Sequence, residues 1–157
     1  PLFPDSPSAP KVGSPMIREK HLFIYTDGAS RGNPGPASIG VVIKNDQNEV
    51  IETVSEFLGT ATNNKAEYTA FIRALETAQK FRPLAVDFYM DSQLVVRQIT
   101  GQYKVKNAGL SPLHKLAKSL YRQYTNASIS HIPREENSEA DALANEALDK
   151  QKIKGIV

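Results

Sequence analysis

The chain has 157 residues, of which 40% are hydrophobic and 23% charged, a composition typical of one globular domain. Cysteine is absent, which excludes a disulfide scaffold, a thiol nucleophile, a cysteine-ligated zinc and an iron–sulfur cluster. No stretch approaches the roughly 20 apolar residues that a membrane helix needs. We therefore expect a cytoplasmic, monomeric protein that does not bind membranes.

Charge is distributed unevenly, although the formal net charge is only +2. The segment 92–134 contains seven of the 19 basic residues and no Asp or Glu, which leaves 12 basic against 17 acidic residues elsewhere. This segregation favours a polyanionic partner, and a merely solvated basic face is the alternative interpretation.

The two ends of the chain differ in composition from the middle. Five prolines within residues 1–20 predict an extended or disordered leader. Lysines mark a basic tail at 151–157. The folded domain is expected between them, over residues 21–150.

The first half of this domain has the pattern of three strands. His21–Tyr25 is a short apolar run and is followed by a predicted loop over the Gly- and Pro-rich stretch Gly28–Pro36. Ala37–Lys44 and Val50–Leu58 are strand-like and are joined by a polar turn. Strands connected this closely form an antiparallel meander.

The second half alternates between helices and strands. Alanines recur every fourth residue in a predicted helix after Thr60, which gives it a small-residue stripe able to lie close to a sheet. Two further strands are predicted at Leu84–Met90 and Ala127–Ile132. Three further helices are predicted at 92–100, Pro112–Tyr124 and Asn137–Lys150. This alternation implies parallel pairing through right-handed crossovers, and hence an α/β fold with a mixed five-stranded sheet and helices on its faces.

Four acidic residues stand at the ends of predicted elements: Asp27 at the end of the first strand, Glu67 in the first turn of the long helix, Asp91 after the fourth strand and Asp141 in the first turn of the last helix. Each also has a local explanation. Asp27 could belong to a turn, and Glu67 could interact favourably with the helix dipole. Asp91 could be an N-cap, and Asp141 could form a capping box with Ser138. In an open α/β sheet, however, strand ends and the following helix starts gather at one edge. We therefore expect the four carboxylates to converge.

Clustered carboxylates raise one another's pKa and need a counter-charge. Two Mg²⁺ ions would offset four negative charges with oxygen ligands, and Mn²⁺ is an alternative. A pair of such ions can clamp the attacking and leaving oxygens of an in-line phosphoryl displacement without a Ser or Cys nucleophile.

The four acidic residues lie in four ordered motifs: YTDGAS around Asp27, TNNKAE ending at Glu67, DSQLV from Asp91, and PREENSEADALAN containing Asp141. In these motifs the chain resembles the ribonuclease H family, type 1, over about residues 21–150. The resemblance implies a ribonuclease H-like sheet with strand order 3-2-1-4-5, strands 1–3 antiparallel and strands 4 and 5 parallel.

The resemblance also implies an activity. The substrate would be the RNA strand of an RNA–DNA hybrid, cut to leave 5′-phosphate and 3′-hydroxyl ends. Asp27 would bridge both metal ions, Asp141 would hold the ion that activates water, and Glu67 and Asp91 would hold the ion on the leaving-group side.

Substrate contacts follow from the same resemblance. Thr62 would bind a DNA-strand phosphate, and Asn63 and Asn64 would lie in the minor groove, where amides can both donate to and accept from a 2′-OH. An N-cap cluster is the structural alternative for these three residues, and the two roles can coexist. Further expected contacts are Gly28, Ser30, Ser92, Lys104 and Lys106.

Two features of the chain leave questions open. The loop 101–111 is too short for the basic, tryptophan-bearing helix of some family members, so Lys104 and Lys106 would form a reduced version. His131 and Arg134 compete for an assisting catalytic role, His131 as a proton-transfer group and Arg134 as a permanent cation near a phosphate oxygen. A strand-end structural role is the alternative for His131.

Two other functions are compatible with this fold. A related nuclease acting on DNA is disfavoured by Asn63 and Asn64, because a reader of 2′-OH groups has no use on pure DNA. A hybrid-binding module without catalysis is disfavoured because all four carboxylates are present.

Overall fold

Five strands form one mixed sheet in the computed structural model, which describes residues 18–153. They are β1 (His21–Ser30), β2 (Gly35–Lys44), β3 (Val50–Ala61), β4 (Ala85–Met90) and β5 (Ala127–His131). Their order across the sheet is β3-β2-β1-β4-β5, with β1, β2 and β3 antiparallel and β1, β4 and β5 parallel. The sheet predicted from the sequence is thereby confirmed.

Four α-helices connect or follow these strands: α1 (Asn63–Ala78), α2 (Gln93–Ile99), α3 (Ser111–Tyr121) and α4 (Ser138–Ile153). Single 3₁₀ turns follow α1 and precede α4. Among the described residues, no helix combines the length and the apolarity that a bilayer crossing requires.

The predicted leader and tail lie mostly outside the described residues. Of the leader, only Arg18–Lys20 is described, and it runs beside the residues that lead into β4, where the Leu84 N–H donates to the Glu19 carbonyl at 3.2 Å. Of the tail, residues 151–153 complete α4, which therefore ends three residues beyond the predicted boundary.

The sheet is covered by helices on both faces. All four alanines of the predicted stripe on α1 are buried, as are Leu22 and Ile24 of β1 and Phe88 of β4, with which α1 shares one core. α4 packs on β2 and on the parts of β1 and β3 next to it. The small side chains of α1 explain how this helix lies close to the strands.

Two glycines allow the helices to approach the strands closely, one on each face. A Cβ at Gly28 of β1 would lie 2.3 Å from the Ala66 carbonyl carbon of α1, and one at Gly40 of β2 would lie 2.1 Å from the Ala140 carbonyl oxygen of α4. Gly28 pairs with Ile39, the neighbour of Gly40, so the two glycines face opposite sides of the pleated sheet. Both helices are therefore seated at one level along β1 and β2.

Strand β1 is longer than predicted. Gly28 and Ser30, expected in a loop, continue the ladder opposite Ile39 and Ala37, so only residues 31–34 connect the two strands. Asp27 consequently lies inside β1 and not at its end. The Gly- and Pro-rich sequence indicated a loop because local propensity does not register the pairing that β2 supplies.

Helix α3 is shorter than predicted. It ends at Tyr121, where Pro112–Tyr124 was expected, because the chain tightens into a turn in which the Tyr124 N–H donates to the Tyr121 carbonyl. The Tyr124 hydroxyl then donates to the Leu75 carbonyl at 2.5 Å and fixes this turn on α1.

Replacing Gly40 with Ala should destabilise the protein, because the added methyl meets the backbone of α4, which cannot move without displacing the helix. We expect a loss of about 2 kcal/mol or more in the free energy of unfolding, measured by urea titration. Gly59→Ala is the control, since nothing lies within 4 Å of its Cβ and only its φ of +84° opposes the substitution. Equal stability of Gly40→Ala and the wild type would contradict the close approach.

Candidate active site

The first two carboxylates come from neighbouring parallel strands. Thr26 of β1 pairs with Met90 of β4, so the next residues, Asp27 and Asp91, emerge side by side. Asp91 follows the last residue of β4, and the Ser92 hydroxyl accepts from the Val95 N–H as the N-cap of α2. The N-cap explanation of Asp91 is therefore wrong, and its carboxylate is left for the cluster.

The third carboxylate, Glu67, comes from α1. It is the fifth residue of this helix and lies one turn deeper than the predicted first turn. The close contact of α1 with Gly28 brings it to β1, where the Gly28 N–H donates to Glu67 Oε1 at 2.8 Å. Glu67 is thus oriented by a backbone donor of the strand that carries Asp27.

The fourth carboxylate, Asp141, lies in the first turn of α4. The helix begins at Ser138, and the Asp141 N–H donates to the Asn137 carbonyl, so Ser138 is a helical residue and not the N-cap of a capping box. Asn137 itself is buried, and its Nδ2 donates to the Thr26 carbonyl at 2.8 Å. This bond ties the start of α4 to the residue before Asp27.

Sequence reasoning did not identify Asn137 as a site residue. The one signal in the sequence was an Asn immediately before a helix start, which is ordinary capping chemistry. Its structural partner lies 111 residues away, and no local pattern reveals that pairing.

The structure brings the four carboxylates together. Asp27, Glu67 and Asp91 each offer an oxygen, and these oxygens all lie within 4.8 Å of one another. Asp27 and Glu67 are only 5% and 6% exposed. Asp141 is not one of these three, but it lines the same cleft and lies near enough for its charge to raise the pKa of Asp27.

This crowding changes the acidity of the cluster. Burial, followed by the charges of Glu67 and Asp91, raises the pKa of Asp27 to about 9. Burial and the charge of Asp91 raise the pKa of Glu67 to about 8. Burial also raises the pKa of Asp91, while Arg134 opposes the rise at both Glu67 and Asp91. Without further positive charge, the cluster therefore retains protons that free carboxyls would release.

The carboxylates lie in a cleft of about 650 Å³. The predicted site residues that line it are Asp27, Gly28, Ser30, Asn63, Glu67, Asp91, His131, Arg134 and Asp141. Five residues that were not predicted as site residues also line it: Ala29, Arg31, Pro133, Glu135 and Asn145. The other predicted contacts also belong to the described part of the chain, but they do not line the cleft. They are Thr62, Asn64, Ser92, Lys104 and Lys106.

Thr62 and Ser92 have local structural roles. Thr62 is the N-cap of α1, and its hydroxyl accepts from the Lys65 N–H at 3.2 Å. The capping alternative for Thr62 is therefore confirmed, and its contact with a phosphate stays a prediction.

His131 and Arg134 both line the cleft. His131 is the last residue of β5, opposite Met90, and its side chain is exposed. Arg134 lies in the 3₁₀ turn before α4, near enough to Glu67 and Asp91 to act on the pKa of both. Arg134 is thus electrostatically coupled to the carboxylates.

The predicted basic contacts lie apart from the cleft. Lys104 and Lys106 are exposed in the connection between α2 and α3. Nearby, Arg97 Nη1 donates to the Tyr103 hydroxyl at 2.5 Å and its guanidinium lies over the Tyr103 ring. The role of these lysines in binding stays a prediction.

The donor set fits hard divalent cations. Mg²⁺ and Mn²⁺ prefer oxygen ligands, and Asp27, Glu67 and Asp91 supply closely spaced carboxylate oxygens in a partly buried site. One oxygen of Glu67 is engaged by Gly28, which leaves its second oxygen for an ion.

Replacing Asp27 with Asn should stabilise the metal-free protein at neutral and alkaline pH. The folded pKa of Asp27 is raised from 3.8 to about 9, so folding retains a proton that the unfolded chain releases between these values. Wild-type stability must then fall as pH rises through that window, whereas the neutral amide has no such dependence. We expect the variant to melt at least about 3 °C higher near pH 8 in chelator.

The control for this prediction is Asp46→Asn, which makes the same change in the exposed turn after β2. The difference in melting temperature between this variant and the wild type should not grow as pH rises. Equal melting temperatures of Asp27→Asn and the wild type across this pH range would show that the folded protein does not disfavour the ionised form of Asp27.

Comparisons with known proteins agree with this geometry. The reverse transcriptase-like family model matches residues 25–147. Ribonuclease HI of Halobacterium salinarum is 45% identical over 132 residues, which are 84% of this chain and 66% of that protein. The crystal structure of LC11-RNase H1 in complex with RNA/DNA hybrid has a TM-score of 0.78 at 46% identity, covering 82% of this chain and 97% of that one.

Some relatives are much longer than the matched region. The chain covers about two thirds of the Halobacterium protein and 35% of a bifunctional protein of Mycobacterium tuberculosis that is 42% identical to it. The match to the family model nevertheless includes all four carboxylates. It also includes the whole sheet except the first residues of β1. On its sequence, its fold and its acidic cluster, the chain belongs to the ribonuclease H family.

Proposed function

We propose that the protein is an endoribonuclease that hydrolyses the RNA strand of RNA–DNA hybrids. The observation that carries the proposal is the cluster of Asp27, Glu67 and Asp91, whose oxygens lie within 4.8 Å of one another in an open cleft that Asp141 also lines. Family membership supports it, as does the hybrid present in the LC11-RNase H1 complex.

Asp27, Glu67, Asp91 and Asp141 would hold two Mg²⁺ ions, or Mn²⁺ in their place. Such ions would supply a water nucleophile of lowered pKa and stabilise the charge on the departing ribose 3′-oxygen, so that the products would carry 5′-phosphate and 3′-hydroxyl ends. Asp27 is the central ligand in this proposal because it interacts with each of the other three carboxylates.

Residues next to the carboxylates orient them. The Gly28 N–H fixes the rotamer of Glu67, and Asn137 fixes the start of α4 and therefore the position of Asp141. Arg134 contributes a permanent positive charge on the same side as Glu67 and Asp91. A guanidinium there can hold a phosphate oxygen without taking part in proton transfer, so we favour Arg134 over His131 as the assisting residue.

Substrate selection would come from the edge of the cleft. Asn63 lines it, and the backbone of Asn63 is fixed by a 3.0 Å bond from its N–H to Asn33 Oδ1. An amide side chain in this position can read a 2′-OH group, which distinguishes RNA from DNA. The basic segment 92–134 would attract the second strand through its phosphates.

The wild-type protein is expected to cut the RNA strand of an end-labelled hybrid with Mg²⁺ or Mn²⁺ and to cut nothing in chelator. Asp27→Asn should lower the rate by at least about 10³-fold while hybrid binding in chelator persists, because the change removes a metal ligand and leaves the fold intact. Asp46→Asn is the matched control and should retain full activity.

Duplex RNA and duplex DNA serve as competing substrates in the same assay. Cleavage of duplex DNA alone would replace the proposal with a DNA-directed nuclease. Tight hybrid binding without cleavage under any metal would replace it with a binding module.

Thr62→Val should raise KM on hybrids about tenfold and change kcat little, because a hydroxyl that contacts a phosphate contributes to ground-state binding. Thr62→Ser keeps the hydroxyl and should behave as the wild type. The loss of the N-cap costs about 1 kcal/mol of stability, which thermal unfolding measures separately. A fall in kcat at unchanged KM would move Thr62 from binding to chemistry.

A further inference from the structure

Arg31 is a second arginine of the cleft, and the proposed cleavage does not yet use it. It is the first residue of the connection between β1 and β2 and lines the same cleft as the four carboxylates. Its side chain is 41% exposed and forms a salt bridge with Asp149 of α4. A phosphate bound beside the carboxylates would therefore meet this guanidinium.

Arg31 forms hydrogen bonds through both its backbone and its side chain. Its backbone N–H donates to the Pro36 carbonyl at 2.8 Å, which closes the turn. Its Nη2 donates to Asp149 Oδ1 at 2.7 Å and to Asn145 Oδ1 at 3.3 Å. Among the described residues, these side-chain bonds involve Nη2 alone, so Nη1 and Nε remain available to a ligand.

Arg31 is coupled to the carboxylate cluster through α4. Asn145 Nδ2 donates to the Asp141 carbonyl at 3.0 Å, one helical turn away, and Asp149 lies one further turn along. The guanidinium thus lies one to two turns of α4 from Asp141, about 5–11 Å along the helix axis. This span is short enough for Arg31 to contact a phosphate of the cut strand that is close to the cleaved bond.

We infer that Arg31 contacts an RNA-strand phosphate one to three nucleotides from the cleaved bond. The inference rests on the proposed hybrid cleavage and adds a substrate contact on the α4 side of the cleft. Arg134 and Arg31, which both line the cleft, would then hold the RNA strand at two points near the carboxylates.

Hybrid binding in chelator, where no cleavage occurs, tests this contact through affinity and its salt dependence. Arg31→Gln should weaken binding about tenfold at low salt and reduce the slope of log affinity against log salt by about 0.7–0.9, the value of one phosphate contact. Arg31→Lys should keep most of the slope because it keeps the charge.

Asp149→Asn is the matched control because it breaks the same ion pair from the other end. If Arg31 binds phosphate, this variant should bind hybrid as tightly as the wild type or more tightly, with an unchanged slope. If the pair only ties the turn to α4, both variants should weaken binding equally, and the inference would be overturned. Wild-type binding by Arg31→Gln would overturn it as well.

Single uncharged methylphosphonate linkages in the RNA strand locate the contact. With one of these linkages, within three nucleotides of the cleavage position, Arg31→Gln should bind the hybrid as tightly as the wild type does. The phosphate charge that Arg31 contacts is then already missing for both proteins. A penalty that persists at every such linkage would overturn the assignment. Failure of the wild type to bind or cut hybrids would instead overturn the proposed function, so the two failures are distinguishable.

Discussion

The free-energy cost of ionising several carboxyl groups in one buried site is the constraint on which the rest of the structure depends. Burial raises the pKa of Asp27 to about 9 and of Glu67 to about 8, so their ionised forms are disfavoured in the protein alone. A site of this kind lowers the stability of the metal-free fold. Destabilising features of this sort are typical of functional sites, where a bound ligand offsets the lost stability. The strained electrostatics are therefore the strongest physical argument for bound cations.

The fold tolerates this cost because backbone contacts, and not the carboxylates themselves, hold the site together. Gly28 and Gly40 let α1 and α4 approach the sheet from opposite faces at one level, and the buried amide of Asn137 ties α4 to β1. The close approach at the two glycines and the Asn137 bond do not depend on the charges of the cluster, and the Gly28 N–H in addition donates to Glu67 Oε1. Arg31 and Arg134 add positive charge at the rim, where solvent still screens it.

Much of this arrangement follows from the sequence, because strand order and helix starts place Asp91 and Asp141 at one edge whatever the details of packing. The extent of β1 does not, since Gly28 and Ser30 have poor strand propensity and are held by pairing with β2. The same limit applies to Asn137 and Arg31, whose partners lie 111 and 118 residues away. Local patterns predict the elements and the chemistry, whereas contacts between distant residues decide the fine positions.

Binding of Mn²⁺, followed by electron paramagnetic resonance, tests the central claim most directly, because it reports on the cluster without any substrate. The wild type should bind Mn²⁺ with an affinity that rises with pH, as protons leave Asp27 and Glu67, and Asp27→Asn should lose this binding. Equal Mn²⁺ binding by the two proteins would contradict the assignment of these carboxylates as the metal centre.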